Sequence, residues 1–173
     1  CAFDKWEPAV KVYQENFDHP IYDTDLGSDE GITIVKNIKP QVIIGGPPCQ
    51  DFSSAGKRDE SMGRADLTIS FAKIVSEANP EWFVMENVSR ITKSKILSDA
   101  LKIFKEAGYG LSYEVLDASL CGVPQARKRF FLVGHKHAND NFLNSYFKKN
   151  LSDKPMNLFE YFGNSLNLEY YYR

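Results

Sequence analysis

Short apolar runs and longer helical repeats follow one another along this chain. The apolar runs predict buried strands, because they are brief and bounded by turn-forming residues. They lie at residues 2–3, 42–46, 80–88, 111–116 and 130–134. The helical repeats place an apolar side chain every three or four residues. They lie at residues 6–17, 67–78, 94–107 and 158–162.

Turn residues set the limits of these elements. Residues 19–32 are predicted to form a loop, because glycine, serine and aspartate cluster there. Pro80 and Gly108 each follow a helical repeat and are expected to end it. Because strands and helices alternate, the chain is predicted to be a doubly wound α/β domain, with a largely parallel sheet and helices on both faces.

The composition is that of one folded domain. Hydrophobic residues make up 43% of the 173 residues and charged residues 25%, which supports one core and argues against disorder. The formal net charge is -2, so overall charge does not indicate nucleic-acid binding, and any phosphate contacts must be local or come from other segments. The sequence contains no run of about eighteen apolar residues, so no membrane partner is predicted.

Cysteine and histidine spacing does not indicate a metal site. The three cysteines, Cys1, Cys49 and Cys121, contain no C-x-x-C pair, and one is left over in any disulfide scheme. This pattern favours a reducing compartment. His135 and His137 could share a metal ion, but no cysteine or carboxylate lies beside them in the sequence. A strand end at the surface is the preferred interpretation, and no metal is expected.

The segment Pro47-Pro48-Cys49-Gln50 directly follows the apolar run at 42–46. A strand that ends in a proline-rich turn places the cysteine at the carboxyl edge of a sheet, where open α/β folds keep their reactive groups. The cysteine is therefore a candidate nucleophile on a rigid turn. The alternative is a buried structural cysteine, since free cysteine packs as a small hydrophobic residue.

Two further motifs stand at predicted strand ends. Glu86-Asn87 closes one apolar strand, and Gln125-x-Arg127-x-Arg129 leads into another. In an extended chain the last three side chains would point to one face, because side chains alternate with period two. Taken singly, the glutamate could cap a helix and the arginines could form a solvated basic turn. Their order after the cysteine motif indicates a single site instead.

In this order, the cysteine, glutamate and arginine motifs resemble the signature of the C5-cytosine DNA methyltransferases, and the resemblance covers most of the chain. It implies the Rossmann-like fold of methyltransferases that use S-adenosylmethionine. It also implies transfer of a methyl group to C5 of cytosine in double-stranded DNA. The enzyme would be a monomer in the bacterial cytoplasm that takes part in restriction-modification.

The resemblance assigns catalytic roles to four residues. Cys49 would attack C6 of the base, and Glu86 would supply a proton or hydrogen bond to N3. Arg127 would hold the base and the neighbouring carboxylate, and Arg129 would order the active-site loop. Because the target atom lies inside the duplex, the nucleotide must be flipped out of the base stack.

The resemblance also implies a cofactor site and a DNA contact surface. Asp4 corresponds to the residue that binds the ribose, and Asp25 to the residue that binds the adenine amino group. The predicted cofactor contacts are Asp4, Lys5, Asp25, Leu26, Pro47 and Leu67. The predicted substrate contacts are Pro48, Gln50, Ser53, Gly56, Lys57, Asn87 and Gln125. Residues 50–63, which are rich in small and charged side chains, are expected to form a mobile lid over DNA.

Parts of the family pattern are not found within these 173 residues. The Phe-x-Gly-x-Gly loop that wraps the cofactor is absent, as is a target-recognition region. We therefore expect residues 1–173 to be a partial, incomplete catalytic domain that binds S-adenosylmethionine weakly or not at all on its own. Two alternatives stay open: a methyltransferase that acts on tRNA, and an inactive or split subunit that needs a partner.

Overall fold

A computed structural model describes residues 1–48 and 66–163. The strands are β1 (Ala2–Asp4), β2 (Ile21–Asp23), β3 (Val42–Gly45), β4 (Trp82–Val88), β5 (Tyr109–Asp117) and β6 (Lys128–Lys136). The helices are α1 (Glu7–Asn16), α2 (Asp29–Ile38), α3 (Asp66–Ala78), α4 (Lys95–Glu106), α5 (Asn144–Asn150) and α6 (Leu158–Phe162). Short 3-10 helices follow β4 and β5, at Ser89–Lys93 and Ala118–Leu120. In these described ranges, no helix is long and apolar enough to cross a membrane.

The strands form two sheets. β1 pairs with β2 in parallel, and a four-stranded sheet has the order β3-β4-β6-β5. β3 and β4 are parallel, but β6 lies antiparallel between β4 and β5. The prediction of a largely parallel sheet is therefore wrong for β6. The reason is the connection from β5 to β6, which contains one 3-10 turn and no crossover helix of the kind that parallel pairing needs.

Strand β2 and the start of helix α2 occupy half of the loop predicted at 19–32. The Ser28 hydroxyl accepts a hydrogen bond from the Gly31 amide at 3.1 Å, which satisfies one of the free amides at the start of the helix. Asp29 and Glu30 add negative charge to the first turn, where the helix dipole favours it. The last turn-forming residues thus begin a helix, so the loop prediction was wrong for residues 21–23 and 29–32, while residues 24–28 do form a loop.

The core lies between the four-stranded sheet and helices α3 and α4. Phe83 of β4 is completely buried and stacks on Phe104 of α4, with ring centroids 4.3 Å apart. Gly134 of β6 makes room for the Phe83 ring, because a Cβ there would lie 1.9 Å from it. The Tyr109 hydroxyl donates a hydrogen bond to the Pro80 carbonyl oxygen at 2.6 Å, and burial raises the pKa of Tyr109 to about 12. These contacts fix β4 and β6 relative to each other.

Strand β3 is one of the two outer strands of the four-stranded sheet. Val42 and Ile44 have exposed fractions of 51% and 77%, which are high for apolar residues in a strand. The alternate positions face the core, because side chains on a strand point to opposite faces in turn. Gly45 packs against the Phe71 ring of α3, where a Cβ would lie 2.5 Å from the ring. β3 therefore has one covered face and one exposed apolar face.

Candidate active site at the carboxyl edge of the sheet

The centre of the candidate site is the ion pair between Glu86 and Arg129. Glu86 Oε1 lies 2.9 Å from Arg129 Nε, and the two side chains are 41% and 25% exposed. Arg129 pairs directly with Val88, two residues beyond Glu86 on β4, so the ion pair runs diagonally across neighbouring antiparallel strands. The core contacts of β4 and β6 thereby hold the carboxylate in a defined position at the sheet edge.

The turn that leads to the cysteine motif lies beside this carboxylate. Parallel pairing of β3 and β4 matches Gly45 with Met85, so the next residues along the two strands are also neighbours. A Cβ on Gly46 would lie 3.4 Å from Glu86 Oε2. This is an ordinary contact distance, so the turn lies directly beside the carboxylate, a proximity that the sequence motifs did not reveal.

Asn87 connects the two strands at the same point. Its side chain is 2% exposed, and Nδ2 donates a hydrogen bond to the Pro47 carbonyl oxygen at 3.2 Å. Its Oδ1 accepts a hydrogen bond from the Val88 amide at 2.8 Å. A buried amide with both ends bonded fixes the backbone of the proline turn. Pro47, predicted among the cofactor contacts, is thus brought together with the glutamate motif.

Several predicted residues lie outside the described part of the chain. They are Cys49, Gln50, Ser53, Gly56 and Lys57, together with the rest of the predicted lid at 50–63. Pro48 immediately precedes this segment and is exposed. The cysteine therefore follows by two residues a proline whose backbone is tied to the Glu86-bearing strand.

The arginine motif differs from its prediction. Strand β6 begins at Lys128, so Gln125 and Arg127 lie in the preceding turn, where strand alternation does not apply. Both side chains are exposed, and the Arg127 carbonyl oxygen accepts a hydrogen bond from the Ala118 amide at 3.0 Å. The contact with the carboxylate that the sequence assigned to Arg127 is made by Arg129.

Apart from Pro47, the predicted cofactor residues lie near the ends of β1 and β2. Lys5 Nζ lies 2.8 Å from Asp25 Oδ2, and the Gly27 amide donates to Asp25 Oδ1 at 2.9 Å. The Lys5 ammonium, and next the Gly27 amide, hold the pKa of the Asp25 carboxyl below its ordinary value. A Cβ on Gly27 would lie 3.2 Å from Leu67 Cδ2, so the start of α3 reaches this loop. Leu26, which stands between Asp25 and Gly27 in the sequence, is half-buried.

Asp4 lies beside the same loop. Its carbonyl oxygen accepts a hydrogen bond from the Thr24 amide at 3.1 Å, which ties the end of β1 to the residue before Asp25. Its side-chain Oδ1 accepts a hydrogen bond from the Trp6 amide at 2.8 Å. The carboxylates of Asp4 and Asp25 and a methyl group of Leu67 are groups that could hold an adenosine group, through hydrogen bonds and apolar contact. In residues 1–48 and 66–163 no cluster of three or more histidine, cysteine or acidic side chains could hold a metal ion.

Comparison with known proteins gives the chain close relatives. Type II methyltransferase M.HindV of Haemophilus influenzae is 57% identical over 100% of this chain, which spans 57% of the relative's length. Type II methyltransferase M.HgiDI of Herpetosiphon aurantiacus is 51% identical over 100% of this chain, which spans 56% of that relative. The chain thus spans little more than half the length of these two relatives.

A solved structure and a family profile agree with this likeness. A DNA modification methyltransferase encoded within a prophage (E. coli) has a TM-score of 0.67 and 27% identity, over 93% of this chain and 47% of the solved one. This match confirms the predicted methyltransferase fold class. The profile of the C-5 cytosine-specific DNA methylases matches residues 1–172. With nearly the whole sequence matched, this chain belongs to the C-5 cytosine-specific DNA methylase family.

Proposed function

We propose that the protein containing this chain transfers a methyl group from S-adenosylmethionine to C5 of cytosine in double-stranded DNA, in a bacterial restriction-modification system. The proposal rests on one observation. Glu86, Arg129 and the proline turn before Cys49 lie together at one sheet edge. An acid and a guanidinium at one edge, beside the turn that leads to a cysteine in the sequence, match the groups that activation of a pyrimidine ring requires. The type II methyltransferases named above support the same activity.

In this mechanism Cys49 opens the reaction. Its thiolate adds to C6 of the flipped-out cytosine, and the electron pair of the C5–C6 double bond moves towards C5. A free thiol is only a few per cent ionised near pH 7, so positive groups at the same edge, such as Arg129, would favour the thiolate. Support for this role comes from the preceding proline turn, because the Pro47 carbonyl oxygen is bonded to buried Asn87 beside Glu86.

Glu86 acts at N3, which lies across the pyrimidine ring from C6, the atom that Cys49 attacks. A proton or strong hydrogen bond from its carboxyl group to N3 stabilises the negative charge that the attack of the thiolate pushes into the ring. Arg129, whose Nε lies 2.9 Å from Glu86 Oε1, positions this carboxyl group. After methylation a base takes the C5 proton, the C5–C6 double bond re-forms, and the cysteine thiolate leaves. Arg127, exposed at the same edge, is available for contact with the DNA.

The cofactor surface fits an adenosine group. Asp25 offers carboxylate oxygens to the adenine amino group, Leu67 offers an apolar contact to the ring, and Asp4 offers its carboxylate to the ribose hydroxyls. S-adenosylmethionine, when bound, supplies the electrophilic methyl group. Lys5 competes for one Asp25 oxygen, so the amino group of adenine must share or displace that ammonium.

The proposed activity predicts a defined product. Full-length protein incubated with S-adenosylmethionine and duplex DNA should yield 5-methylcytosine, measured by mass spectrometry of nuclease-digested DNA. A duplex whose cytosines are already methylated at C5 is the matched control and should accept no methyl group. Incubation with tRNA distinguishes the alternative substrate. Methylation of tRNA alone, or of adenine, would refute the proposal.

Replacing Asp25 with alanine should weaken binding of S-adenosylmethionine. Loss of one or two partly buried hydrogen bonds costs about 1 to 3 kcal/mol, or roughly a factor of 5 to 150 in affinity. Calorimetric titration of the full-length protein measures the change. Glu30→Ala, which removes an exposed carboxylate from the first turn of α2, is the control and should bind normally. Parental affinity in Asp25→Ala would show that Asp25 does not contact the cofactor.

A further inference from the structure

A second group of positive charges lies at the same sheet edge as the proposed site. The 3-10 helix Ser89–Lys93 follows β4 directly, three residues after Glu86. Ile91 is completely buried and anchors this turn in the core, while Arg90 and Lys93 are exposed. The turn therefore presents two long cationic side chains from a backbone that packing holds in place.

The strand register places this turn beside the arginine motif. Val88 pairs with Arg129, so the residues that follow Val88 and the residues that precede Arg129 leave the sheet at the same end. The 3-10 helix also contacts β6. Arg90 and Lys93 thus share an edge with exposed Arg127, next to the proposed position of the target base.

The charges on this turn are not neutralised by the described part of the protein. Arg129 is already paired with Glu86. Lys128 stands opposite Asp117 in register, and its charge contributes to the lowered pKa of that carboxyl group, after the hydrogen bonds to Asp117 from Ser119 and Arg127. In residues 1–48 and 66–163, by contrast, neither Arg90 nor Lys93 forms an ion pair.

We propose that Arg90 and Lys93 bind backbone phosphates of the DNA next to the flipped-out nucleotide. This inference rests on the proposed function. Exposed flexible cations beside a base pocket are suited to phosphates, which carry no sequence information, whereas reading of base edges requires entry into a groove. A local cluster of this kind also accounts for DNA binding by a chain whose net charge is -2.

The test is the salt dependence of DNA binding by the full-length enzyme. The double variant Arg90→Gln, Lys93→Gln keeps much of each side chain but removes both charges. Each phosphate contact adds about 0.9 to the slope of log Kd against log salt concentration, so the slope should fall by about 1.8. Between 50 mM and 200 mM salt, the affinity of the variant should therefore fall about 12-fold less than that of the parent. Fluorescence anisotropy with a labelled duplex measures both slopes.

Matched measurements separate this role from others. Lys73→Gln, Lys102→Gln removes two exposed charges from the middle of α3 and α4 and should keep the parental slope. The double variant Arg90→Gln, Lys93→Gln should keep the parental kcat at saturating DNA. It should lose affinity equally for cognate and unrelated duplexes. An unchanged slope, or a loss confined to kcat, overturns the inference.

Failure of this inference can be told apart from failure of the proposed function. If the parent methylates DNA and the variant keeps the parental slope, only the phosphate contacts are refuted. If the parent neither binds nor methylates DNA, both proposals fall. If this turn binds an acidic protein and not DNA, the slope of log Kd for DNA against log salt concentration would be the same in variant and parent. That outcome also counts against the inference.

Discussion

Replacing Cys49 with serine should abolish the covalent complex between the full-length enzyme and DNA that contains 5-fluorocytosine. Fluorine at C5 cannot leave as a proton, so after methyl transfer the bond between the cysteine sulfur and C6 persists. A serine hydroxyl is a far weaker nucleophile than a thiolate at neutral pH, and it gives no comparable adduct. Loss of the adduct should be accompanied by loss of all measurable methyl transfer to normal DNA.

Denaturing gel electrophoresis of the enzyme with a labelled duplex measures the trapped complex. Cys121→Ser is the matched control, because Cys121 is a free and exposed cysteine on another turn of the chain. The control should trap DNA as the parent does. A persistent adduct in Cys49→Ser would assign the nucleophile to another residue.

Replacing Glu86 with glutamine should slow methyl transfer by a factor on the order of 10² or more. Glutamine keeps the shape of the side chain and can accept a hydrogen bond from Arg129, but it has no acidic proton for N3 of the base. The negative charge that the attack of the thiolate creates in the ring would then lack its main stabilising group. Affinity for the cofactor should change little, because the Asp25 surface belongs to a different pair of strands.

Single-turnover methylation at saturating DNA and cofactor isolates this chemical step. Glu106→Gln removes an exposed carboxylate at the end of α4 and should retain parental rates. Near-normal single-turnover rates in Glu86→Gln would show that the pair with Arg129 serves only to join β4 and β6.

Most of the secondary structure could be predicted from the apolar pattern, but helix α2 could not. Its sequence carries a β-branched stretch, Ile32-Thr33-Ile34-Val35, which favours strands over helices. The helix forms because Ser28 caps it and because Gly31 and Val35 on one of its faces are buried; an exposed ion pair between Lys36 and Glu77, at 2.8 Å, adds a link to α3. Packing between elements that are distant in sequence overrides local preference here.

The direction of β6 also lay beyond the sequence pattern. Apolar runs indicate that a strand is buried, but they carry no information on whether its neighbours run with it or against it. The hydrogen-bonded pairing of the strands, and not the apolar pattern, shows that β6 lies between β4 and β5. That insertion is what brings Arg129 next to Glu86, so the site depends on the feature that the pattern left undetermined.

For the candidate site, motif order identified Glu86, Asn87 and the arginine motif, and the structure brings members of all three to one edge. It did not identify which arginine meets the carboxylate, because that depends on the residue at which β6 begins. It also missed that the turn at Gly46 lies beside the Glu86 carboxylate, since that proximity depends on the pairing of β3 with β4. The roles of Cys49 and the lid residues remain predictions.

The exposed face and outer edge of β3 have a consequence for handling this polypeptide. Residues 41–46, Gln-Val-Ile-Ile-Gly-Gly, contain no charge and no proline, and Ile44 is 77% exposed. Uncharged β-branched segments on an outer strand are templates for pairing with a second copy, and natural proteins usually guard them with lysine, proline or a bulge. Lys39-Pro40 and Pro47-Pro48 guard this four-residue strand at its two ends but not along its length, so we expect residues 1–173 to self-associate through β3 when they are concentrated on their own.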